Sequence, residues 1–504
     1  MYIDVKTGHR TARSGADHPD VRGRPTAAVP MARALGRARR PADERSVMSS
    51  APPDRGPLGT WNPNRSPGIG RRRLLRHGTA GAAALLAGGP LAGCASPARA
   101  GEASALKVWD LFQGGDGMLM DEMIAAVSRG ADGFDVDRTI LDWGPSYYTK
   151  LAMSAAGGRA SDVAVLHLSR LAGYAPGGLL DPFDLDVLAE FGVTEKDFAP
   201  AVWKRARYQG TVYAIPLDVH PFIVFYDKDA AGEAGLLDPS GHLAPMGSPE
   251  AFLDAGQKLA EATGKSGVLF GHVTDTAQSW RQFAALYAQT GASFTLPDGG
   301  PPKIDVEAAV KVVTFMKQLF DGRTNPNNLD YNGAMAAFMD GRGGMIMAGE
   351  WELPTFRKSG IKHLGAAPFP QVFDRPAVYA DSHSFVLPHQ DAPDPARRRE
   401  AHRYVAEIIK QSLTWASAGH IPAYQPVQAR PEYAALDPQS SYAAAGEIAV
   451  LDPPNWFAGA GGNFQNRMCQ PLQSALLGNT SAEKAVRQMV READTLLRRP
   501  NPVA

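Results

Sequence analysis

Residues 210–229 constrain the fold of this chain more than any other stretch. They form a turn, a short apolar segment, a polar interruption, a second apolar segment and a charged end. Two prolines bracket Asp218 and His220, so we expect no regular strand or helix to run smoothly through them. Residues 222–226 are a continuous apolar run, typical of a strand covered on both faces. The pattern predicts either an ordinary buried strand pair or two strands whose kinked connection passes from one lobe to another.

The length and charge of the chain narrow its class. At 504 residues it is too long for one compact core, which predicts two or more lobes. Residues 1–94 contain 16 Lys and Arg against 6 Asp and Glu, which leaves 36 basic and 46 acidic residues in 95–504. An acidic folded part argues against nucleic acid as a partner. The two cysteines, Cys94 and Cys469, predict no disulfide framework.

The first hundred residues are predicted to contain an export signal and to lie outside the folded part of the protein. Residues 1–70 are rich in Arg, Pro, Gly and Ala, which predicts a disordered or mis-annotated N-terminal extension. Residues 71–76 are basic and 78–91 weakly apolar, too short for a comfortable membrane span, so 71–94 is predicted to be a signal peptide. A short tether follows at 95–103.

Two details of this leader resemble known export signals. Its paired arginines followed by apolar residues are similar to a twin-arginine export signal, and Leu91-Ala92-Gly93-Cys94 resembles the lipobox of bacterial lipoproteins. The resemblance implies that Cys94 is acylated and anchors the mature protein to the outer face of the cytoplasmic membrane. An ordinary signal peptide with a chance cysteine is the alternative.

Strand and helix patterns alternate from residue 106 onwards. Strands are predicted from 106, at 139–143 and at 162–166, with helices at 118–127 and 147–156. This alternation predicts a parallel α/β sheet, whose ligands gather at the carboxyl ends of the strands. The polar and aromatic residues expected near that edge are Gln113, Asp116, Trp143, His167 and Arg170.

The second half of the chain continues the α/β pattern. Helices are predicted from 248 to 262, at 279–289, 305–320, 398–415 and 480–499. Strands are predicted at 344–347, 363–369 and 384–387. The last helix is expected to open on a capping box of Thr480 and Glu483.

The order of several short motifs resembles the extracellular solute-binding proteins of carbohydrate import systems (family 1). The motifs are G-G-D-G at 114–117, the run from 162 to 183 ending in G-L-L-D-P-F, G-x-x-Y-x-x-P at 210–216, M-x-G-E-W at 347–351 and G-H-I-P-A at 419–423. The resemblance covers roughly 104–499. It implies an α/β, two-lobed periplasmic-binding-protein-like fold (type II) with a ligand cleft between the lobes.

The same resemblance implies how the chain is divided between the lobes. Lobe 1 would comprise 104–218 and 365–419, and lobe 2 would comprise 219–364 and 420–504. The chain would cross between them near 217–222, 365–370 and 420–423, and three neighbouring crossings would form a hinge.

Positions that line the family's cleft can be carried over to this chain. Asp227 stands where the family usually has Asn, and His383 stands where it often has Trp. The ligand-binding positions that the resemblance implies are Gln113, Asp116, His167, Arg170, Asp218, His220, Trp280, Glu350, Trp351, Asp381 and His383.

These residue types suit a sugar. A pyranose offers an apolar C–H face and several hydroxyls, which aromatic rings and carboxylates can bind. Trp280 is expected to stack on the sugar, because Phe283, Leu286 and Tyr287 already form the core stripe of helix 279–289.

Two other classes of function stay open at this point. A secreted glycosidase would use a carboxylate pair, such as Glu350 with Asp381 or Asp218. A metal-binding importer component could use His167, His220, His272, His383 and His420, although their spacing is unlike that of usual zinc sites.

The sequence as a whole predicts a substrate-binding subunit of an ATP-driven carbohydrate importer. We expect a monomer that captures a sugar and delivers it to a membrane permease. We expect no enzymatic activity, cofactor or metal.

Overall fold

The computed structural model of the protein describes residues 105–129, 132–275 and 277–503. The predictions for the N-terminal extension, the signal peptide, Cys94 and the tether lie outside the described residues. Among the residues described, no helix combines the length and the apolar character needed to cross a membrane.

The strands have the following bounds in chain order: β1 Leu106–Asp110, β2 Val136–Ile140, β3 Val163–His167, β4 Leu180–Asp181, β5 Arg207–Tyr208, β6 Thr211–Val212, β7 Ala214–Pro216, β8 Asp218–Asp227, β9 Ser266–Leu269, β10 Gly343–Gly349, β11 Leu364–Pro368, β12 Val378–Asp381, β13 His383–Pro388, β14 Ile421–Pro422 and β15 Ala449–Val450.

The α-helices have the following bounds: α1 Gly114–Val127, α2 Pro145–Ala156, α3 Leu185–Glu190, α4 Pro200–Arg205, α5 Lys228–Glu233, α6 Pro249–Thr263, α7 Gln278–Gln289, α8 Val306–Leu319, α9 Tyr331–Met339, α10 Leu353–Phe356, α11 Pro395–Lys410, α12 Ser412–Ala416, α13 Gln425–Gln428, α14 Pro431–Ala434, α15 Asn463–Leu476 and α16 Ala482–Leu497. Four 3₁₀ turns are described, at Leu168–Gly173, Glu195–Asp197, Glu350–Glu352 and Gln439–Gly446.

The first sheet has the strand order β2-β1-β3-β13-β4, and β7 also pairs with β13. Strand β1 runs parallel to β2 and β3, as the alternating strand and helix pattern predicts. Strand β13 returns from far along the chain and runs antiparallel to β3, which places His383 directly opposite His167. The carboxyl end of β3 therefore meets the beginning of β13.

The second sheet has the strand order β15-β12-β8-β10-β9, with β11 and β14 also paired to β8. Strand β8 continues through Pro221, which corrects the expectation of an interrupted strand. Its partners change at that proline: β12 and β14 pair with its first residues, and β10 and β11 pair with residues 222–226 and 223–227. A change of partners where the strand lacks an N–H lets the chain keep an extended course.

Both sheets belong to one continuous apolar core, which contains Val165 of β3 and Phe225 of β8. Residues 222–226 are all buried, as the apolar run predicts. The two sheets approach one another where β8 begins, because Leu217 donates its backbone N–H to the carbonyl of His383. The polar residues at the start of β8 thus face the ends of β3 and β13.

Candidate functional site

A cavity of about 320 Å³ lies where the ends of β3 and β13 meet the start of β8. Helices α1, α7 and α9 and the turn after β10 complete its walls. It is lined by Leu111, Asp116, Trp143, His167, His220, Asp275, Ala277, Gln278, Arg281, Tyr331, Trp351, Glu352 and His383.

Two tryptophans give the cavity its aromatic walls. Trp143 stands in the loop between β2 and α2 and is 42% exposed. Trp351 stands in the 3₁₀ turn that follows β10, and its indole N–H lies 3.1 Å from the Tyr331 hydroxyl. The Tyr331 hydroxyl in turn donates to Glu352. Because the indole edge is fixed by this chain of hydrogen bonds, the face of Trp351 is held ready for an apolar surface.

Arg281 supplies a cation to the same wall. Its guanidinium lies 5.1 Å from the centre of the Trp351 ring. Burial lowers the pKa of Arg281, but the neighbouring Tyr379 and Asp275 outweigh that effect and raise it, so the side chain stays charged. Its Nε and the Gln278 Oε1 are buried, and no described residue hydrogen-bonds to either atom. A ligand or water in the cavity would satisfy both polar atoms.

Asp218 lies behind the cavity wall and is completely buried. Its carboxylate accepts from His220 Nδ1 at 3.0 Å, His383 Nδ1 at 2.7 Å and Trp415 Nε1 at 2.7 Å, and from the backbone N–H of His383 at 2.7 Å. Burial raises the pKa of Asp218, but the charges and hydrogen bonds of His383 and His220 outweigh burial and hold it well below the ordinary range. The carboxylate therefore stays ionised and fixes the orientation of both imidazoles.

His420 lies beside Asp218 as a buried cation. Its Nδ1 is 2.9 Å from Glu350 and its Nε2 is 3.2 Å from Asp116, and its ring stacks on Trp415 at 4.4 Å. Burial lowers the pKa of His420, but Asp116 and Glu350 raise it well above the usual value. Burial raises the pKa of Glu350 to about 7, with His420 acting in the opposite direction. These contacts connect helix α1 to the turn after β10 and to the residue before β14.

The acid stability of the protein should depend on His220. Burial, followed by the charge of His383, lowers the pKa of His220 to about 3 from an ordinary 6.5. Between these values the unfolded state binds more protons than the folded state, so stability falls as the pH is lowered from 6.5 towards 3. We expect His220→Gln to lose less stability than the wild type over this window. Urea denaturation in the presence of EDTA at pH 7, 5.5 and 4.5 measures the free energy of unfolding of both proteins. Equal losses of stability in the wild type and His220→Gln would contradict the expectation.

Five of the predicted site residues line the cavity, and two more lie directly behind it. Those that line it are Asp116, His167, His220, Trp351 and His383, and those behind it are Asp218 and Glu350.

Four other predicted residues do not line the cavity, namely Gln113, Arg170, Asp381 and Trp280. Gln113 is exposed and donates to Asp142 at 2.8 Å, and the Arg170 Nε donates to the carbonyl of Ala460. Asp381 is buried and accepts from both the hydroxyl and the backbone N–H of Ser169. Asp381 is buried and bound to Ser169, so the expectation that it contacts the ligand is corrected. Gln113 and Arg170 do not line the cavity, and their role in ligand binding stays a prediction.

The expectation that Trp280 stacks on the sugar is wrong. Its side chain is only 2% exposed. Its ring packs against Phe283, Phe294 and Phe464, and its indole N–H donates to Asp452 at 2.7 Å. The side chain belongs to the core on the far side of α7.

Sequence reasoning assigned no ligand role to several residues of the cavity. Asp275 lies in the polar stretch before α7, Gln278 is the first residue of α7, and Glu352 follows Glu350 and Trp351 directly. The polar residues next to these positions in the sequence could have indicated a role in binding. Nothing in the sequence around Arg281 and Tyr331 indicates such a role, because only the packing of α7 and α9 against the turn after β10 brings them to the cavity.

The carboxylates considered for a glycosidase do not form a pair in the cavity. Glu350 and Asp218 are both completely buried around His420, and Asp381 is bound to Ser169. None of the three lines the cavity. The geometry therefore gives no support to hydrolysis by these residues.

Solved structures with a similar fold were found over most of the chain. The GacH receptor of Streptomyces glaucescens, crystallised unliganded and with acarbose, matches at a TM-score of 0.65 and 20% identity, covering 78% of this chain and 98% of that one. The cyclic α-maltosyl-1,6-maltose binding protein of Arthrobacter globiformis matches at 0.63 and 19%, covering 78% and 99%. These likenesses confirm the predicted two-lobed α/β fold of the periplasmic-binding-protein type.

Sequence comparison points to the same class of protein. The maltodextrin-binding protein MdxE of Bacillus subtilis is 23% identical over 236 residues, which cover 44% of this chain and 50% of that protein. The chain thus spans about half the length of this curated relative. A family model described as a bacterial extracellular solute-binding protein matches residues 125–436, more than half of the chain. The chain therefore belongs to the bacterial extracellular solute-binding protein family.

Proposed function

We propose that the protein is the substrate-binding subunit of an ATP-driven carbohydrate importer. The cavity carries this proposal: Trp143 and Trp351 offer aromatic faces, and Asp116, Asp275 and Glu352 offer acceptors for hydroxyl groups. Such a mixture of stacking faces and fixed polar groups suits the two kinds of surface on a sugar ring. Gln278 and Arg281 of helix α7 add donors.

Relatives narrow the class of ligand that we propose. Maltodextrin, acarbose and a cyclic maltosyl-maltose are named for the three proteins compared above. An α-linked gluco-oligosaccharide is therefore the first candidate for this chain. The cavity of about 320 Å³ would hold one or two sugar rings at most before the site opens to solvent.

We propose that the two sheets belong to lobes that close on the sugar. The predicted crossing near 365 is corrected, because β11 and β12 pair with β8 in the second sheet and only β13 returns to the first sheet. The lobes would therefore be 104–218 with 382–419 and 219–381 with 420–504. Ligand contacts from both sides of the cavity favour the closed arrangement, and the permease recognises that closed form. The protein itself would act as a monomer without catalysing a reaction.

A thermal-shift screen against mono- and oligosaccharides tests this function. A sugar present at 100 times its dissociation constant adds about 2.7 kcal/mol of stability, which raises the melting temperature by a few degrees. Arg281→Ala should abolish the shift, because it removes a buried donor from the cavity wall. Arg499→Ala, at an exposed position after α16, should keep it. If no carbohydrate in a broad panel shifts the wild type, the proposal fails.

We further propose that the protein is exported as a lipoprotein through a twin-arginine signal and anchored at Cys94. Acyl chains contribute about 0.8 kcal/mol per buried methylene, so two or more chains hold a protein firmly on a membrane. Cys94→Ala should appear in the medium or remain as an uncleaved precursor. Fractionation and mass spectrometry measure this. A cleaved Cys94→Ala protein that stays with the membranes would rule out the anchor.

A further inference from the structure

Three buried histidines converge on the inner wall of the cavity. His167 ends β3, His220 lies in β8 and His383 begins β13, and they are 5%, 5% and 6% exposed. One ring nitrogen from each lies within 4.8 Å of the other two. All three side chains also line the cavity. Three imidazoles therefore share a small volume next to the cavity.

Hydrogen bonds fix the orientation of these rings. The Nδ1 atoms of His220 and His383 lie 3.0 and 2.7 Å from the two oxygens of Asp218. An ionised carboxylate only accepts hydrogen bonds, so both Nδ1 atoms carry the hydrogen and both Nε2 atoms present a lone pair when the rings are neutral. The Nδ1 of His167 is likewise held by the Tyr148 hydroxyl at 2.7 Å. No described residue hydrogen-bonds to the three Nε2 atoms.

The spacing of the rings matches a metal centre. With Zn–N bonds of about 2.0–2.1 Å and tetrahedral angles, three imidazoles on one ion hold their ring centres roughly 5 Å apart. The observed separations are 5.2 Å for His167 and His220, 4.6 Å for His167 and His383, and 4.2 Å for His220 and His383.

The outer contacts are those of a metal site as well. Metal-bound histidines usually donate their second nitrogen to a carboxylate or another fixed acceptor. Asp218 serves two of these histidines, and its negative charge offsets part of the charge of an ion. A second grouping of Asp218, His383 and His420 also lies close together. His420 is already paired with Glu350 and Asp116, so it belongs to the surroundings rather than to the ligand set.

We propose that His167, His220 and His383 bind one divalent transition-metal cation, with zinc the best fit, through their Nε2 atoms. Three histidines with an open fourth position are a common arrangement for zinc. The fourth position faces the cavity, where water or a hydroxyl of a bound solute would complete the coordination. This goes beyond sugar binding, and it reverses the expectation of no metal, which rested on the wide spacing of these histidines along the sequence.

Calorimetric titration of the purified full chain with zinc chloride, after dialysis against a chelator and without sugar, tests the proposal. The wild type should bind one more equivalent of zinc than His220→Gln. His363→Gln serves as the matched control, because this exposed histidine pairs only with Asp229 on the surface. It should bind as much zinc as the wild type. Equal zinc binding by the wild type and His220→Gln would overturn the proposal, and no sugar enters the assay.

A second variant keeps the test decisive if His220→Gln folds poorly. Tyr148→Phe retains the aromatic ring but removes the hydroxyl that holds His167. Removal of such an outer contact typically weakens a metal site by about 10- to 100-fold. Cobalt chloride provides a spectroscopic readout, since tetrahedral nitrogen coordination gives intense visible bands. Bands that are present in the wild type and weakened in Tyr148→Phe support the site, whereas identical spectra would overturn it.

Discussion

Trp280→Ala is expected to lower the free energy of unfolding by roughly 3–5 kcal/mol, as large-to-small changes at buried aromatic positions do. The ring is only 2% exposed and packs within 4.7 Å of Phe464, measured between ring centres. Its N–H also donates to Asp452, whose pKa burial raises to about 6. Truncation would leave a cavity, and the Oδ1 atom of Asp452 would lose the indole N–H while Oδ2 keeps its bonds from Gly459 and Gln465. Urea denaturation of the sugar-free protein measures the loss.

Trp143→Ala is the matched control for this experiment. Its side chain is 42% exposed and lines the cavity, so its removal should change stability by less than about 1 kcal/mol. The same change should weaken sugar binding, whereas Trp280→Ala should leave the affinity of the folded protein within tenfold of the wild type. If Trp280→Ala were as stable as the wild type but lost sugar binding, the burial described for Trp280 would be wrong.

The error over Trp280 has a geometric cause. Residues Trp280, Phe283 and Tyr287 are spaced i, i+3 and i+7, so the tryptophan belongs to the buried stripe of α7. Successive residues on a helix point about 100° apart, and Gln278 and Arg281 therefore turn towards the cavity. The helical spacing alone thus predicts a buried Trp280, whereas the family resemblance predicts a residue that contacts the sugar.

Local patterns predicted much of the fold. The apolar run at 222–226 and the strand before Glu350 and Trp351 are where they were expected. The rule that ligands gather at the carboxyl ends of strands correctly brought Asp116 and His167 to one edge. These predictions succeeded because they depend on period and burial, which neighbouring residues determine.

Element ends were less predictable. The strand expected at 139–143 is β2, Val136–Ile140, which leaves Trp143 in a loop. The helix expected at 398–415 is divided at Gln411 into α11 and α12. The final helix is capped by Ser481 rather than Thr480, because the Ser481 side chain accepts from the backbone N–H of Lys484. Each of these ends depends on a few competing hydrogen bonds that periodicity does not reveal.

The centre of the site could not be read from the sequence. Asp218 and His383 are 165 positions apart and meet only because β13 pairs with β3 while β12 pairs with β8. His420 reaches the same place through the short pairing of β14 with β8. The spacing of the histidines along the sequence does not reveal these strand pairings. Histidines that are far apart in the sequence are therefore neighbours in the structure.

The central claim is that a carbohydrate binds in the cavity walled by Trp351. Isothermal titration of the wild type and Trp351→Ala with the sugar that most stabilises the protein tests it directly. Loss of a stacked aromatic anchor should cost at least about 2 kcal/mol, which is roughly a 30-fold weaker affinity. Trp456→Ala, at a partly buried tryptophan outside the cavity, should bind as the wild type does. Wild-type affinity in Trp351→Ala would contradict the account.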